Sequence, residues 1–190
     1  MTRIIIKSVP QRAEYAAYLR RLLPAAEWCQ CDGLEVGGVK PAMRTFLRAL
    51  HMAGDSAAVH LEDDVVLTRD FVGKLEVVVK QRFWSVIQFF SMRKLDVTVG
   101  SRWDSDYMMN QCFYLPPGYS LALMDFHARW PGKVENPTGT DTMLHDFLKA
   151  RKERYWLHVP SLVQHRECKS VIDARRSSKR QSITFVDPQA

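Results

Sequence analysis

Residues 60–67 have the sequence His-Leu-Glu-Asp-Asp-Val-Val-Leu, in which Glu62, Asp63 and Asp64 stand between two apolar runs. Burying adjacent like charges costs several kcal/mol per ion unless a cation compensates them. The preceding run, residues 57–61, has the length and content of an interior strand, and Thr68 begins a segment typical of a helix start. The stretch therefore predicts a divalent-metal site at a strand's carboxyl end, where open α/β sheets bind ligands. The alternative is that the carboxylates are solvated beside a helix N-terminus.

The composition predicts one globular domain. The chain has 190 residues, 46% of them hydrophobic, with only nine glycines and nine prolines. No apolar run reaches the ~20 residues that span a bilayer, and the apolar N-terminal run is too short for a secretory signal, so we expect a cytoplasmic protein. The four cysteines lack framework spacing and are expected to be reduced. Cys-x-Cys is not a common zinc spacing, which disfavours a zinc site built from Cys29, Cys31, His165 and Cys168.

The net charge of +6 is concentrated near the C-terminus. Six basic residues against two acidic ones give +4 between residues 166 and 180; the basic ones are Arg166, Lys169, Arg175, Arg176, Lys179 and Arg180. We expect a folded domain over residues 1–172 and a basic, flexible tail over residues 173–190. Such a tail can bind a polyanion with salt-dependent affinity, or it can simply be a solubilising, disordered end.

Strand-like and helix-like segments alternate along the first half of the chain, which is the pattern of a parallel α/β sheet. The predicted strands are residues 3–9, 26–29, 57–61, 84–90 and 155–159, and the predicted helices are residues 10–23, 41–50, 69–81, 118–127 and 140–151. Residues 91–110 lack periodicity, and we interpret them as a mobile loop that carries Trp103 and Tyr107. Long loops in compact domains are often substrate lids.

Two later segments strengthen the hypothesis of a metal site. His165 follows a predicted strand end, where its imidazole would be a suitable ligand beside the acidic triplet. Asp141 lies in the first turn of a helix after a glycine loop, a position suited to a general base. Each has a simpler explanation, since a lone histidine is more often structural and an acid at a helix start interacts with the helix dipole.

Taken in order and spacing, these segments resemble the glycosyltransferases of the GT-A fold, which use nucleotide sugars and carry an Asp-x-Asp metal motif. The resemblance runs from Arg3 to about Ile172 and is strongest to small phage and bacterial members. It implies a Rossmann-like domain whose mostly parallel sheet is flanked by helices. In that comparison residues 62–64 take the motif's place, and Asp64 is the main ligand of Mn²⁺ or Mg²⁺.

The same resemblance implies roles for further residues. His165 joins Asp64 at the metal, Glu62 or Asp63 lies nearer the ribose and the metal's waters, and Asp141 is the catalytic base. Many members carry a second acid after that base, whereas this chain has Thr142. The donor, expected to be a uridine diphosphate sugar, would contact residues 8–12, and the individual residues expected to bind it are Arg12, Asp32, Lys40 and Arg44.

The acceptor is open at this stage. The basic tail and the likeness to phage enzymes favour a hydroxymethylated pyrimidine in phage DNA, flipped out and stacked on Trp103 and Tyr107. A saccharide or a lipid-linked glycan would need no basic tail. Two other classes stay possible: a two-metal nuclease or phosphotransferase, and a DNA-binding protein without catalysis. Sugar identity, stereochemical course and oligomeric state are not defined by the sequence.

Overall fold

The structure is a computed structural model that describes residues 2–103, 106–171 and 178–189. Its strands are β1 (Arg3–Ser8), β2 (Glu27–Gln30), β3 (Ala58–Glu62), β4 (Val65–Leu67), β5 (Ile87–Gln88), β6 (Gly100–Arg102), β7 (Cys112–Leu115), β8 (Tyr155–Leu157) and β9 (Val163–His165). Its helices are α1 (Ala13–Leu22), α2 (Pro41–Ala53), α3 (Phe71–Gln81), α4 (Tyr119–Arg129), α5 (Gly132–Glu135) and α6 (Thr140–Arg151), and a 3-10 turn, Pro10–Arg12, precedes α1. No helix in these ranges has the length and apolarity to cross a membrane.

Seven strands form the central sheet in the order β2-β1-β3-β7-β5-β8-β6. β1 pairs in parallel with β2 and β3, and β5 pairs in parallel with β8. β7 is antiparallel to both β3 and β5, and β6 is antiparallel to β8, so five of the seven strands share one direction. The strands that follow β1 in the chain lie on opposite sides of it. This reversal between β1 and β3 is a topological switch point, where doubly wound sheets bind their ligands.

Helices cover both faces of the sheet. Leu19 of α1 and Leu75 of α3 pack on one face, while Phe46 of α2, Leu123 of α4 and Leu144 of α6 pack on the other. Strands covered on both faces need continuous apolar runs, which the three consecutive isoleucines of β1 and the buried residues of β3 supply. The predicted class, a mostly parallel α/β sheet flanked by helices in one Rossmann-like domain, is confirmed.

The prediction missed four short strands. β4 and β9 form a separate antiparallel pair, β7 fills the middle of the sheet, and β6 lies at its edge. Strands of three or four residues show no usable periodicity, and their pairing partners are distant in sequence. The strand predicted over residues 84–90 is restricted to β5, because Ser85 still belongs to the turn after α3, where its N–H donates to the carbonyl of Arg82.

The interpretation of residues 91–110 as a mobile loop is wrong for much of the segment. β6 pairs with β8, and the ring of Tyr107 is 4% exposed, in edge-to-face contact with Tyr155. Tyr107 Oη also donates to Asn110 Oδ1 at 2.8 Å. Trp103 is 53% exposed under the guanidinium of Arg154, so of the two proposed stacking rings it alone lies open to a base. Asp104 and Ser105 lie outside the described residues.

Residues 178–189 pack against the domain, contrary to the predicted flexible tail. The backbone N–H of Gln189 donates to the carbonyl of Leu67, and the carbonyl of Asp187 accepts from the N–H of Arg69. Buried Ser182 contacts Ser161, with 2.8 Å between their hydroxyl oxygens, and its carbonyl accepts from Gln164 Nε2. Residues 172–177, which include Asp173, Arg175 and Arg176, lie outside the described residues.

A buried histidine in β3 should make stability depend on pH. His60 stacks on Phe113, and neither ring nitrogen has a hydrogen-bond partner among the described residues. Burial, with smaller contributions from Lys7 and Arg3, lowers its pKa from 6.5 to about 3. Because the folded-state pKa lies below the unfolded one, this contribution to stability is complete above pH 6.5 and is lost as the pH falls towards 3.

We therefore expect His60→Phe to flatten the acid side of the stability profile. Between pH 7 and pH 5 the native chain should lose about 2 kcal/mol more of its unfolding free energy than the variant does. Urea unfolding at the two pH values measures this difference directly. Parallel losses in both proteins would mean that His60 does not titrate on unfolding in this range.

Candidate functional site

A cleft of about 530 Å³ opens at the carboxyl ends of β1 and β3, at the switch point of the sheet. Its walls are the end of β1 with the following turn (residues 7–12), residues 31–33, the start of α2, the acidic triplet, residues 109–111, the start of α6, and residues 170, 171 and 180. The first turns of α2 and α6 both border the cleft, so the positive ends of their helix dipoles favour negative charge there.

Asp63 is held by the turn after β1. One carboxylate oxygen accepts from the backbone N–H of Val9 at 2.8 Å and the other from Arg12 Nη1 at 2.9 Å. Burial raises the pKa of this carboxyl to about 6, although both hydrogen bonds oppose the rise. Asp63 therefore ties the turn after β1 to β3, and its cation is the guanidinium of Arg12.

Asp64 and His165 are brought together by the β4–β9 pair. Val65 pairs with His165 in that ladder, and the N–H of Arg166 donates to the carbonyl of Asp64 at 2.8 Å. Asp64 is 5% exposed and His165 is completely buried. Two residues a hundred positions apart thus face each other because a two-stranded sheet fixes their backbones.

The side chains of this pair are only partly satisfied. Asp64 Oδ2 lies 2.7 Å from Arg12 Nη1 and 3.3 Å from His165 Nε2, the latter without hydrogen-bond geometry. Asp64 Oδ1 and both ring nitrogens of His165 are buried and unpartnered within the described part of the chain. Burial raises the pKa of Asp64, but His165 and Arg12 lower it more, so the carboxyl stays ionised at neutral pH. Such orphaned groups need an explanation, and a bound ion is one.

Cys168 completes a group of three potential ligands. One donor atom from each of Asp64, His165 and Cys168 lies within 4.8 Å of the other two. The sequence disfavours a zinc site that joins Cys168 to Cys29 and Cys31, and in the structure the thiols of Cys29 and Cys31 donate to the carbonyls of Thr45 and Pro41. Within the described ranges, neither of them belongs to a metal-ligating group.

Glu62 does not join this group. Its carboxylate lies 2.8 Å from Lys7 Nζ, and that ammonium, on a side chain only 4% exposed, stands over the rings of Phe46 and Phe113. The predicted need of the triplet for a cation is thus met at Glu62 by Lys7 and at Asp63 by Arg12. Lys7 went unnoticed in the sequence, although a lysine inside the apolar run of β1 is an anomaly that could have marked it.

The structure brings three of the four side chains expected to contact the nucleotide into the cleft lining. Arg12, Asp32 and Lys40 line the cleft. Arg44 lies outside the lining, where its guanidinium donates to Asp32 Oδ1 at 3.1 Å and to the carbonyl of Leu34. Arg44 therefore supports the glycine loop of residues 32–38 from behind. Lys40 also contacts Glu35 within that loop.

Asp141 lines the cleft from the first turn of α6, as the sequence predicted for its helix position. Its Oδ1 accepts from the backbone N–H of Thr142 at 3.0 Å, which leaves Oδ2 available to other partners. Thr142, at the place of the second acid, accepts a hydrogen bond from Asn136 Nδ2.

Arg180 enters the cleft from the C-terminal segment. Its positive charge lowers the pKa of Asp64, and its Nε is buried without a partner among the described residues. The sequence places this arginine in a basic tail that either binds a polyanion or is a solubilising end. Its position could not have been inferred from sequence, because it depends on the return of residues 178–189 to the domain.

Comparison with known proteins gives evidence on the fold alone. No family model and no curated protein sequence matches the chain. Among solved structures, the chain is similar to a candidate glucose-1-phosphate thymidylyltransferase from Bacillus anthracis, crystallised in complex with sucrose. The TM-score is 0.51 at 8% identity, over 87% of this chain and 89% of that one. The two chains share a Rossmann-like α/β fold over most of their lengths.

Proposed function

We propose that this protein is a metal-dependent glycosyltransferase that moves a sugar from a nucleotide sugar, taken here as a uridine diphosphate sugar, to a hydroxyl acceptor. The observation that carries the proposal is the buried pair of His165 and Asp64, of which Asp64 lines the switch-point cleft, with polar atoms that have no hydrogen-bond partner among the described residues. It is supported by the GT-A resemblance of the sequence and by a fold shared with a protein named for nucleotide-sugar chemistry.

The residues at this wall fit a divalent cation. A carboxylate and an imidazole are common protein ligands of Mn²⁺, and Mg²⁺ is also held by carboxylates. A cation held by Asp64 and His165 would neutralise the charge that develops on a departing diphosphate. The nearby Arg12 and Arg180 add positive charge to the same wall. We propose that these guanidiniums bind phosphate oxygens, for which their planar donors are suited.

The transfer step assigned to the chain uses Asp141. In an inverting reaction the acceptor oxygen bonds to the anomeric carbon as the bond from that carbon to the diphosphate breaks. Asp141 takes the hydroxyl proton, and the diphosphate leaves with the electron pair. Lys7 and Glu62 are paired and both line the cleft, and we propose that they bind sugar or acceptor hydroxyls.

Metal-dependent donor binding is the first expected result. In calorimetry, uridine diphosphate should bind at least about tenfold more tightly with Mn²⁺ or Mg²⁺ than with EDTA, a difference of about 1.4 kcal/mol. The diphosphate alone is used because it is the leaving group for every sugar. Equal affinity in both conditions would remove the cation from the mechanism.

The acceptor hypothesis is tested separately. A hydroxymethylated DNA duplex remains our sequence-based proposal, although Arg180, once counted among its contacts, lines the cleft. Incubation with mixed nucleotide sugars should label hydroxymethylated duplexes and leave unmodified ones unlabelled. Labelling of a free saccharide or of a lipid-linked glycan in their place would assign the enzyme to glycan synthesis.

Nucleotidyl transfer is a second candidate, favoured by the name of the structural neighbour. It differs from glycosyl transfer in the released product: pyrophosphate comes from a nucleoside triphosphate, whereas a nucleoside diphosphate comes from a nucleotide sugar. Product analysis with both substrates separates the two activities. The two-metal nuclease or phosphotransferase is less well supported, because Glu62 and Asp63 are already paired with Lys7 and Arg12.

A further inference from the structure

The loop after β9 places a thiol beside the proposed metal ligands. Cys168 follows His165 by three residues, and its backbone N–H donates to the carbonyl of Arg166 at 2.8 Å, which turns the loop back. The next residue is held as well, since Arg12 Nη2 contacts the carbonyl of Lys169. The half-buried thiol therefore belongs to a loop that is fixed to the turn after β1.

The strongest evidence that this thiol binds a metal comes from its two neighbours, His165 and Asp64. His165 is completely buried, its Nδ1 has no hydrogen-bond partner among the described residues, and its Nε2 lies 3.3 Å from Asp64 Oδ2 without hydrogen-bond geometry. Asp64 Oδ1 is likewise buried without a hydrogen-bond partner among those residues. A sulfur, a nitrogen and an oxygen donor then converge within 4.8 Å. A buried imidazole left without hydrogen bonds costs free energy that coordination to an ion would offset.

We propose that Cys168 is the third protein ligand of the metal centre and that this set selects Zn²⁺ or Co²⁺ over Mg²⁺. The inference rests on the metal site of the proposed function and specifies its ion. Magnesium prefers oxygen ligands and octahedral geometry, whereas thiolate and imidazole are typical ligands of zinc. Three protein ligands with mixed donors also leave a position open, as catalytic zinc sites do. On coordination the thiol loses its proton to solvent.

Cobalt reports directly on the thiolate. Metal-free protein, kept reduced without added thiols, is titrated with Co²⁺ and its near-ultraviolet absorption is recorded. We expect a thiolate-to-cobalt charge-transfer band in the native chain and in Cys31→Ser, and no such band in Cys168→Ser. Cys31 is a matched control, because its thiol is also half-buried but belongs to no metal-ligating group among the described residues.

Competition with a zinc indicator measures the selectivity. Cys168→Ser should weaken Zn²⁺ binding by on the order of 100-fold and Mg²⁺ binding hardly at all, since a direct ligand contributes at least as much as an outer partner. Circular dichroism checks that each variant is folded, and Cys168→Ala provides a second variant if the serine disturbs the loop.

The outcomes separate this inference from the proposed function. Suppose that uridine diphosphate binding depends on a cation but the Co²⁺ complex lacks the thiolate-to-cobalt band. This result would overturn the role of Cys168 and leave the glycosyltransferase proposal standing. A sulfur band lost in Cys168→Ser, in a protein that binds no nucleotide under any metal condition, would support the metal centre and refute the donor assignment. Retention of the band in Cys168→Ser would also overturn the inference.

Discussion

Asp64→Asn should reduce turnover by roughly 10³-fold, equivalent to about 4 kcal/mol of transition-state stabilisation, and should remove the effect of EDTA on uridine diphosphate binding. The amide keeps the shape of the side chain but supplies no negative charge for a cation beside His165. Steady-state kinetics and calorimetry in the presence and absence of metal measure the two effects. Because Asp64 is buried against Arg12, the melting temperature must be measured as well.

Two further variants separate the loss of function from a loss of fold. Asp70→Asn makes the same chemical change at an exposed position outside the cleft lining, and it should leave turnover unchanged. His165→Gln removes the second ligand and keeps the carboxylate of Asp64 next to Arg12, and it should reproduce the loss of metal dependence. If Asp64→Asn melts normally and retains its turnover and its response to EDTA, the pair is structural and the metal hypothesis is wrong.

The parts of this fold that could be predicted are those with a pattern in the local sequence. The isoleucines of β1 and the apolar residues of β3 form continuous runs, and such runs predict strands covered on both faces. The acidic triplet follows β3 directly, so its place at a strand's carboxyl end could be inferred as soon as that strand was recognised. The position of Asp141 in the first turn of a helix could be inferred in the same way, once the helix start at Thr140 was recognised.

The partners of those carboxylates could not be predicted, because they depend on tertiary pairing. Asp63 is bound by Arg12 and Asp64 faces His165, separations of 51 and 101 residues in the chain. The β4–β9 ladder that fixes the second pair consists of two strands of three residues each, too short to leave a periodic signal. Burial of the triplet does require cations, and protein side chains supply them: Lys7 lies beside Glu62, and Arg12 lies beside both Asp63 and Asp64.

The role of the basic C-terminal segment also depends on tertiary structure and could not be inferred from its charge alone. The excess of basic residues after residue 166 suggested a free tail for a polyanion, yet Arg180 lies in the cleft and residues 182–189 pack on the domain. Truncation of this segment would therefore remove structural contacts along with charge. A test of nucleic-acid binding should replace Arg175 and Arg176 by glutamine and measure DNA affinity over a series of salt concentrations. The slope of log affinity against log salt concentration should decrease in magnitude by about one for each lost phosphate contact.

Asp141→Asn should leave donor binding within about twofold of the native value and lower turnover by roughly 10²- to 10⁴-fold. The amide can still accept the N–H of Thr142 through its oxygen, so the start of α6 should be retained, but it cannot take a proton from the acceptor hydroxyl. Calorimetry with uridine diphosphate and Mn²⁺ measures the binding, and initial rates at saturating donor measure the transfer. A loss confined to turnover identifies an interaction made in the transition state alone.

The matched control is Asp125→Asn, an identical change on the exposed face of α4, which should alter neither binding nor transfer. Near-native transfer by Asp141→Asn would leave its carboxylate as a helix-start charge, worth a few tenths of a kcal/mol, and would remove the support for an inverting reaction with this base.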